Sequence, residues 1–274
     1  MNLFIFLYYL CHLLRKQPNL SRLGITYASI VLLSLLQIVY QMSKILNIET
    51  STTVCSVCIS ENGACKCFRE NFNGNNHSEL IGVFVQGVLA EAAIEPKDLD
   101  AVSLSIGPGS YTGLRIGTSF AKGLCYGSDL KLITIPTLKI IAQNAKEKYS
   151  IEEDALICPM IDARRMEVYC CFYDRALNEV RETQPEIINE SSFAEILQSK
   201  KIYFCGNGAA KCKQYLTHEN AIFLDDVYPL ATSMIALAED AFAKNDFADV
   251  AYFEPFYLKA AHVTVPKNQL GVRS

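Results

Sequence analysis

The order in which strands and helices alternate constrains the fold of this chain more than any other feature. In each half, an apolar strand ends in an acid, Glu49 or Asp162, and a hairpin partner follows within four residues. Hairpins followed by helices and strands in alternation are typical of a mixed sheet with helices on its faces. The sequence therefore predicts an α/β fold with two related lobes that face each other across a cleft, residues 42–150 and residues 151–274, the second with a flexible tail.

The hydrophobic periodicity also predicts the individual elements. In the first half we expect strands at 44–50, 53–60, 64–70, 100–106 and 130–135, and helices at 78–94, 114–126 and 137–148. In the second half we expect strands at 155–162, 166–174 and 201–205, and helices near 191–199, 208–216 and 231–243.

Charge is distributed unevenly along the 274 residues. The chain has 25 Lys and Arg against 29 Asp and Glu, but residues 1–41 hold three basic residues and no acid. The remainder therefore has 22 basic against 29 acidic side chains, a net charge of −7. Because phosphate neutralisation requires clustered Lys and Arg, this body is not expected to bind a polyanion unaided.

The first 41 residues are apolar and need a separate interpretation. The runs 3–14 and 25–40 are both shorter than the roughly 20 apolar residues that span a bilayer. One interpretation is a membrane anchor; the other is that translation starts at Met42 and the upstream stretch is not translated. The core strand predicted from Lys44 follows Met42 almost at once and leaves no room for a tether, which favours the start at Met42 and predicts no membrane attachment.

The chain has 11 cysteines, and two pairs resemble a metal site at first sight. Cys55 and Cys58 lie on a predicted strand, where residues three apart point to opposite faces and cannot share one ion. We therefore predict small buried apolar residues and no metal site. Many unpaired thiols are typical of a reducing compartment, which predicts a cytoplasmic protein.

The glycine-rich segment Ile106–Gly117 joins a predicted buried strand to a helix. Exposed N–H groups at the start of a helix favour an anion, so the segment is a candidate for a degenerate nucleotide or anion site. That site would comprise Glu49, Gly107, Gly109, Ser110 and Thr112. The segment matches neither the P-loop nor the dinucleotide-binding fingerprint, and a tight turn with close packing explains it equally well.

Two helices of the first half carry apolar or small residues beyond what one buried face requires. The helix predicted at 78–94 is apolar on nearly all sides, and the next has small residues at four-residue spacing. A buried helix is one explanation, and a protein–protein interface is the other. The candidate interface residues are Leu80, Phe84, Val88, Gly113, Gly117 and Ala121.

Several motifs together resemble the bacterial TsaB (YeaZ) family, over the chain from Met42 to about Lys259. The Gly-Pro-Gly-Ser-Tyr-Thr-Gly-Leu-Arg block is the most specific of them. The motifs are Ile48–Ser51, Ile106–Gly117, Ala121–Gly123, Ile161–Arg165, Glu167–Tyr169, Gly206–Ala209 and Glu254–Lys259.

This resemblance implies an actin-like ATPase (sugar kinase/Hsp70/actin) fold with two ribonuclease-H-like lobes and mixed sheets. It implies a non-catalytic scaffold subunit of the complex that forms N6-threonylcarbamoyladenosine at position 37 of tRNAs reading ANN codons. It also implies a TsaD-like catalytic paralogue and a TsaE-like ATPase as partners, tRNA contacted indirectly through the complex, and a homodimer when the chain is alone.

The residue chemistry agrees with the absence of catalytic residues. Catalytic relatives hold a metal through two histidines on the first-lobe helix, whereas here His77, expected near the N-cap or in solvent, is followed four places later by Ile81. ATP-using relatives have Asp-x-Gly after the first strand, where this chain has Glu49-Thr50-Ser51. We expect the isolated chain to bind no cofactor tightly, and we expect any ATP or ADP to bind only in the complex. An autonomous ATP-dependent kinase or ATPase on the same fold is the alternative.

Overall fold

The computed structural model describes residues 43–74 and 76–258, and its first sheet is built around the predicted hairpin. The strand order is β3-β2-β1-β4-β5, with β1 antiparallel to β2 and parallel to β4. Asn62 and Gly63 both have positive φ at the β2–β3 turn, as the Asn-Gly signal predicts. The strands are β1 (Lys44–Glu49), β2 (Cys55–Glu61), β3 (Ala64–Asn71), β4 (Ala101–Ser105) and β5 (Lys131–Ile135).

The second sheet repeats the plan of the first. Its order is β10-β9-β6-β7-β8, with β6 antiparallel to β7 and parallel to β9. The central strands β1 and β6 are therefore equivalent, which confirms the predicted architecture of two mixed sheets. The strands are β6 (Leu156–Asp162), β7 (Glu167–Tyr173), β8 (Glu179–Ile187), β9 (Ile202–Cys205) and β10 (Ala221–Phe223).

Helices cover both faces of the first sheet. The helices are α1 (His77–Ala92), α2 (Tyr111–Ser128), α3 (Thr137–Lys148), α4 (Ala194–Leu197) and α5 (Ile235–Ala243). α1 and α2 pack on one face through a core that includes Val85 and Ala121. α3 joins the two sheets, because Ile140 packs against the first sheet and Ile141 against the second.

Two predicted helices of the second half are largely wrong. The helix expected at 191–199 is reduced to the four residues of α4, because side chains of Asn189 and Ser192 bond to local backbone N–H groups and Phe193 has a φ of 62°. The helix expected at 208–216 is a 3-10 turn over Ala210–Cys212. Strands β8 and β10 were not predicted.

The chain returns to the first sheet after the second is complete. α5 packs on the first sheet, and Ala248 pairs with Leu132 of β5. These residues fall inside the lobe predicted at 151–274. No helix in residues 43–74 and 76–258 has the length and apolar character of a bilayer span. The apolar head and the tail that was predicted to be flexible lie outside the described residues.

Cysteines follow the prediction of small buried apolar residues. All ten in the described part are free thiols, and nine of them are buried. Cys65, on the edge strand β3, is exposed and therefore departs from that prediction.

Candidate functional site

The glycine-rich segment connects β4 to α2, and the hydroxyl of Ser110 caps this helix. Ser110 is the N-cap of α2, and its Oγ accepts a hydrogen bond from Gly113 N at 3.3 Å. Thr112 lies in the first turn of α2 and is exposed. The Ser110 hydroxyl is therefore engaged in capping α2.

The space beside the glycines is filled by the chain's own backbone. A Cβ on Gly109 would overlap the carbonyl oxygen of Ser51, to which Ser110 N donates a hydrogen bond of 2.6 Å. A Cβ on Gly107, where φ is +108°, would lie 2.7 Å from Phe256 O. The two glycines thus admit neighbouring segments of this chain, and no open cradle remains beside their Cα atoms.

Glu49 ends β1 directly beneath this segment and has no exposed surface. Its Oε1 accepts hydrogen bonds of 2.5 Å from both the N–H and the hydroxyl of Ser51. Burial raises the pKa of Glu49 to about 7, although the hydroxyls of Ser51 and Ser105 oppose the rise. A carboxyl that is sealed in and half-protonated near neutrality is poorly suited to ordering a metal-bound water.

A buried polar layer continues from Glu49 across the adjacent strand. Asn47 pairs with Ser103 across β1 and β4, and Ser105 follows two residues later on the same face. Among the described residues, Glu49 Oε2, Asn47 Oδ1 and the Oγ atoms of both serines are buried without a hydrogen-bond partner of normal geometry. The polar character of these strands was visible in the sequence, but its burial was not.

His77 occupies the first position of α1, next to the N-cap Asn76, which confirms the expected place near the N-cap and excludes the solvated alternative. The imidazole is buried, and its Nε2 lies 2.9 Å from the carbonyl oxygen of Thr52. Ile81 lies in the hydrophobic core one turn later. Within the part of the chain that the structure describes, no group of three or more His, Cys, Asp or Glu side chains is arranged to hold a metal.

Four of the six predicted interface residues lie in the interior of this chain, which corrects that prediction. Val88 and Ala121 are fully buried in the core beneath α1 and α2. A Cβ on Gly113 or Gly117 would overlap atoms of Thr50. The small-residue stripe therefore receives the end of β1, whereas Leu80 and Phe84 are half-buried, and Phe84 packs against the same core.

The opposite side of these helices is exposed and carries apolar and small residues. Val83 on α1 is 63% exposed and Tyr126 on α2 is 88% exposed. A Cβ added to Gly123 or Gly127 would meet no atom within 4 Å. α1 and α2 are neighbours, since a Cβ on Gly82 would lie 3.9 Å from the Phe120 ring. We call Gly82, Val83, Phe120, Gly123 and Tyr126 the outer face.

A segment near residue 250 flanks the start of α2. Lys122 Nζ donates to the carbonyls of Ala251 and Phe253 at 3.0 and 3.1 Å. The Tyr257 ring lies 5.0 Å from that of Tyr111, over which the Arg115 guanidinium is centred at 4.4 Å. Sequence reasoning noted the late Glu254–Lys259 motif but gave no role to it.

The hairpin turn after β6 is the second cluster of polar contacts. Asp162 accepts a hydrogen bond from Arg164 N at 2.9 Å and thereby caps the turn. Its carboxylate also pairs with Lys211, a residue that sequence reasoning missed. Lys211 lies nearly fifty residues away, and only the paired strands β6 and β9 bring it close.

Comparisons with known proteins agree with this architecture. The family model of TsaD, tRNA N6-adenosine threonylcarbamoyltransferase, matches residues 71–266. The chain is similar to the tRNA threonylcarbamoyladenosine biosynthesis protein TsaB of Escherichia coli, at 31% identity over 79% of this chain and 94% of the relative. It is also similar to TsaB of Haemophilus influenzae, at 30% identity over 80% of this chain and 94% of the relative.

Solved structures with the same fold include YeaZ from Pseudomonas aeruginosa. That structure superposes with a TM-score of 0.69 at 23% identity, covering 79% of this chain and 100% of YeaZ. A second Pseudomonas aeruginosa protein, described as similar to the peptidase YeaZ, has a TM-score of 0.71 at 23% identity and covers 80% of this chain. Together with the two five-stranded mixed sheets, this likeness shows that the chain has the fold of YeaZ.

Proposed function

Because the chain belongs to the TsaB (YeaZ) family of tRNA threonylcarbamoyladenosine biosynthesis proteins, we propose that it is a non-catalytic scaffold subunit. In this proposal the subunit serves the complex that forms N6-threonylcarbamoyladenosine at position 37 of tRNAs reading ANN codons. Its partners are a TsaD-like catalytic paralogue and a TsaE-like ATPase, and the chain forms a homodimer when alone.

The observation that carries the non-catalytic role is the filling of the site that would hold a nucleotide. Ser51 and Phe256 occupy the space beside Gly109 and Gly107, where phosphates would need to approach. Glu49 is buried and bonded to Ser51 in place of facing a cleft. The chain thus keeps the fold of an ATPase while its own segments cover the groups that would handle the phosphates.

The outer face is the surface that we propose for partner binding. It combines exposed apolar side chains with glycines that let another backbone approach closely, a composition typical of helix-mediated interfaces. Leu80 and Phe84 border this face, and Val88, Gly113, Gly117 and Ala121 support it from within. ATP or ADP would then be bound at the level of the complex. We place the subunit in the cytoplasm, in keeping with its free thiols.

Reconstitution tests this proposal. We expect tRNA to gain threonylcarbamoyladenosine when the TsaD-like protein, the TsaE-like ATPase, threonylcarbamoyl-adenylate and this chain are combined. The modified nucleoside is measured by mass spectrometry after digestion of the tRNA. Omitting this chain should abolish the product, and this chain with adenylate and tRNA alone should form none.

Glu49→Gln separates the scaffold from an autonomous ATPase. The amide keeps the shape of the carboxyl but removes its charge, so the complete mixture should modify tRNA at a rate within about twofold of the wild type. Full modification without this chain would contradict the scaffold role. ATP turnover by the chain alone that disappears in the Glu49→Gln variant would show that the subunit is itself the catalyst.

A further inference from the structure

The turn between β6 and β7 holds two consecutive arginines in an unfavourable backbone conformation. Arg164 has a φ of 70° and Arg165 a φ of 51°, both in the left-handed region. Side chains with a Cβ rarely adopt this region, and glycine or asparagine normally occupies it. Two arginines in succession at such positions therefore suggest a role for their side chains beyond turning the chain.

Contacts from the segment after β9 fix this turn. Lys211 Nζ donates to the carbonyls of Arg165 and Glu167, at 2.8 and 2.6 Å, and pairs with the Asp162 carboxylate. Asn207 Oδ1 accepts a hydrogen bond from Asp162 N at 3.0 Å. The backbone that carries the arginines is thus held by one lysine and one asparagine from the segment after β9.

The side chains of the two arginines are, by contrast, uncommitted. Both residues are exposed, and neither guanidinium makes an ion pair or hydrogen bond with any residue in 43–74 or 76–258. Three other arginines are engaged, since Arg69 pairs with Glu91, Arg181 pairs with Glu186 and Arg115 covers the Tyr111 ring, whereas Arg175 just after β7 makes no ion pair with a described residue. The acid of the turn, Asp162, is already neutralised by Lys211. The turn therefore presents two adjacent positive charges to solvent.

We propose that Arg164 and Arg165 bind backbone phosphates of tRNA, so that this chain itself contacts the nucleic acid. The inference rests on the proposed function, and it replaces the expectation that tRNA is met only through other subunits. Guanidinium groups fit phosphate oxygens through paired hydrogen bonds. Because the turn is fixed before binding, little backbone entropy is lost when the phosphates arrive. An acidic body with one local basic site would dock tRNA in a defined orientation.

The test compares tRNA binding by complexes that contain wild-type chain, R164G/R165G or R164A/R165A. Binding is measured by fluorescence anisotropy of labelled tRNA over a series of salt concentrations. Loss of two phosphate contacts should reduce the slope of log K against log salt by about 1 to 2 and weaken binding at low salt. Arg175→Ala is the matched control, because Arg175 is an exposed arginine at the other end of β7, about 20 Å away.

The glycine and alanine variants separate binding from folding. Glycine accepts positive φ, so R164G/R165G should melt at or above the wild-type temperature while losing tRNA affinity. R164A/R165A keeps the Cβ atoms and the strained backbone, so it isolates the guanidinium groups if the glycine variant folds poorly. An unchanged salt slope in assembled complexes would overturn the proposal. The proposal would also be overturned if the variants bound tRNA normally but failed to assemble with the other subunits. That result would mean that the turn contacts an acidic protein surface.

Formation of threonylcarbamoyladenosine by the wild-type mixture tests the proposed function separately. If the wild-type mixture forms no threonylcarbamoyladenosine, the scaffold proposal fails, whatever the arginines do. If the mixture is active and the double variants bind tRNA like wild type, only the inference about the arginines fails.

Discussion

Glu49 illustrates how the surroundings of a single residue decide its chemistry. By position in the sequence it ends the first strand, where ATP-using relatives have an acid that handles a metal-bound water. In the structure it is fully buried, and its pKa is raised to about 7 chiefly by desolvation. The sequence identifies the acid and its strand, but the Ser51 loop and the overlying segments that bury it come from contacts with distant residues.

The raised pKa makes a prediction about stability. The unfolded chain releases the Glu49 proton near pH 4.5, whereas the folded chain retains it until about pH 7. Stability therefore falls as pH rises through this window, by about 3 kcal/mol for the whole shift. We expect Glu49→Gln, which does not titrate, to become more stable relative to wild type by about this amount between pH 5 and 8. Urea unfolding at a series of pH values measures the difference.

Glu61→Gln is the control for this experiment. Lys66 lowers the pKa of Glu61, so the stability that this pair contributes is present above about pH 4.5 and is lost as pH falls further. Its difference from wild type should stay nearly constant from pH 5 to 8. A flat difference for Glu49→Gln over the same range would contradict the buried, proton-retaining state of Glu49.

At the scale of elements, α2 shows what periodicity can and cannot predict. The four-residue spacing of Gly113, Gly117 and Ala121 correctly identified one face of a helix. It did not identify what covers that face, because a small-residue stripe suits a partner helix and the chain's own backbone equally well. Thr50 at the end of β1 fills this place, and its hydroxyl donates to Gly113 O at 2.9 Å.

We therefore expect substitution by alanine to change the stability of the chain in opposite directions at two glycines of α2. A Cβ at position 113 would overlap the Thr50 carbonyl, so Gly113→Ala should destabilise the chain by about 1–3 kcal/mol. A Cβ at position 123 meets open space, so Gly123→Ala should stabilise the helix by about 0.5–1 kcal/mol. Both values are measured by urea unfolding. Equal losses at the two positions would mean that the stripe does not pack against β1.

For the whole molecule, the architecture of two mixed sheets could be predicted because local signals repeat. The Asn62–Gly63 turn, the acid that ends each central strand and the helix–strand alternation reproduce the architecture. The two edge strands of the second sheet, β8 and β10, escaped prediction. β8 is an exposed edge strand with Pro185 and several charged residues, so it lacks the apolar alternation of a buried strand. The ion pair between Lys211 and Asp162 was not predicted either, because no local sequence pattern links the two residues.

The return of the chain to the first sheet has a consequence for partner binding. α5 and residues near 250 complete the first sheet and flank α2, while α1 and α2 keep their outer face open. That face therefore lies over the buried core that α1 and α2 share. A substitution there should affect association without affecting folding, whereas the buried residues that the sequence singled out would affect both.

Val83 and Val180 allow a matched test of this distinction. Both are exposed valines, at 63% on α1 and 57% on β8 of the second sheet. We expect Val83→Asp to weaken binding to the TsaD-like partner by roughly 100-fold, about 2–3 kcal/mol, because the charge would be desolvated in an apolar contact. Val180→Asp should bind like wild type. Calorimetric titration gives the affinities. The free energy of unfolding of the separate chain, measured by thermal unfolding, should change by less than about 1 kcal/mol for either variant. If Val83→Asp binds normally and Val180→Asp does not, the partner lies on the second sheet, and the apolar character of α1 and α2 needs another explanation.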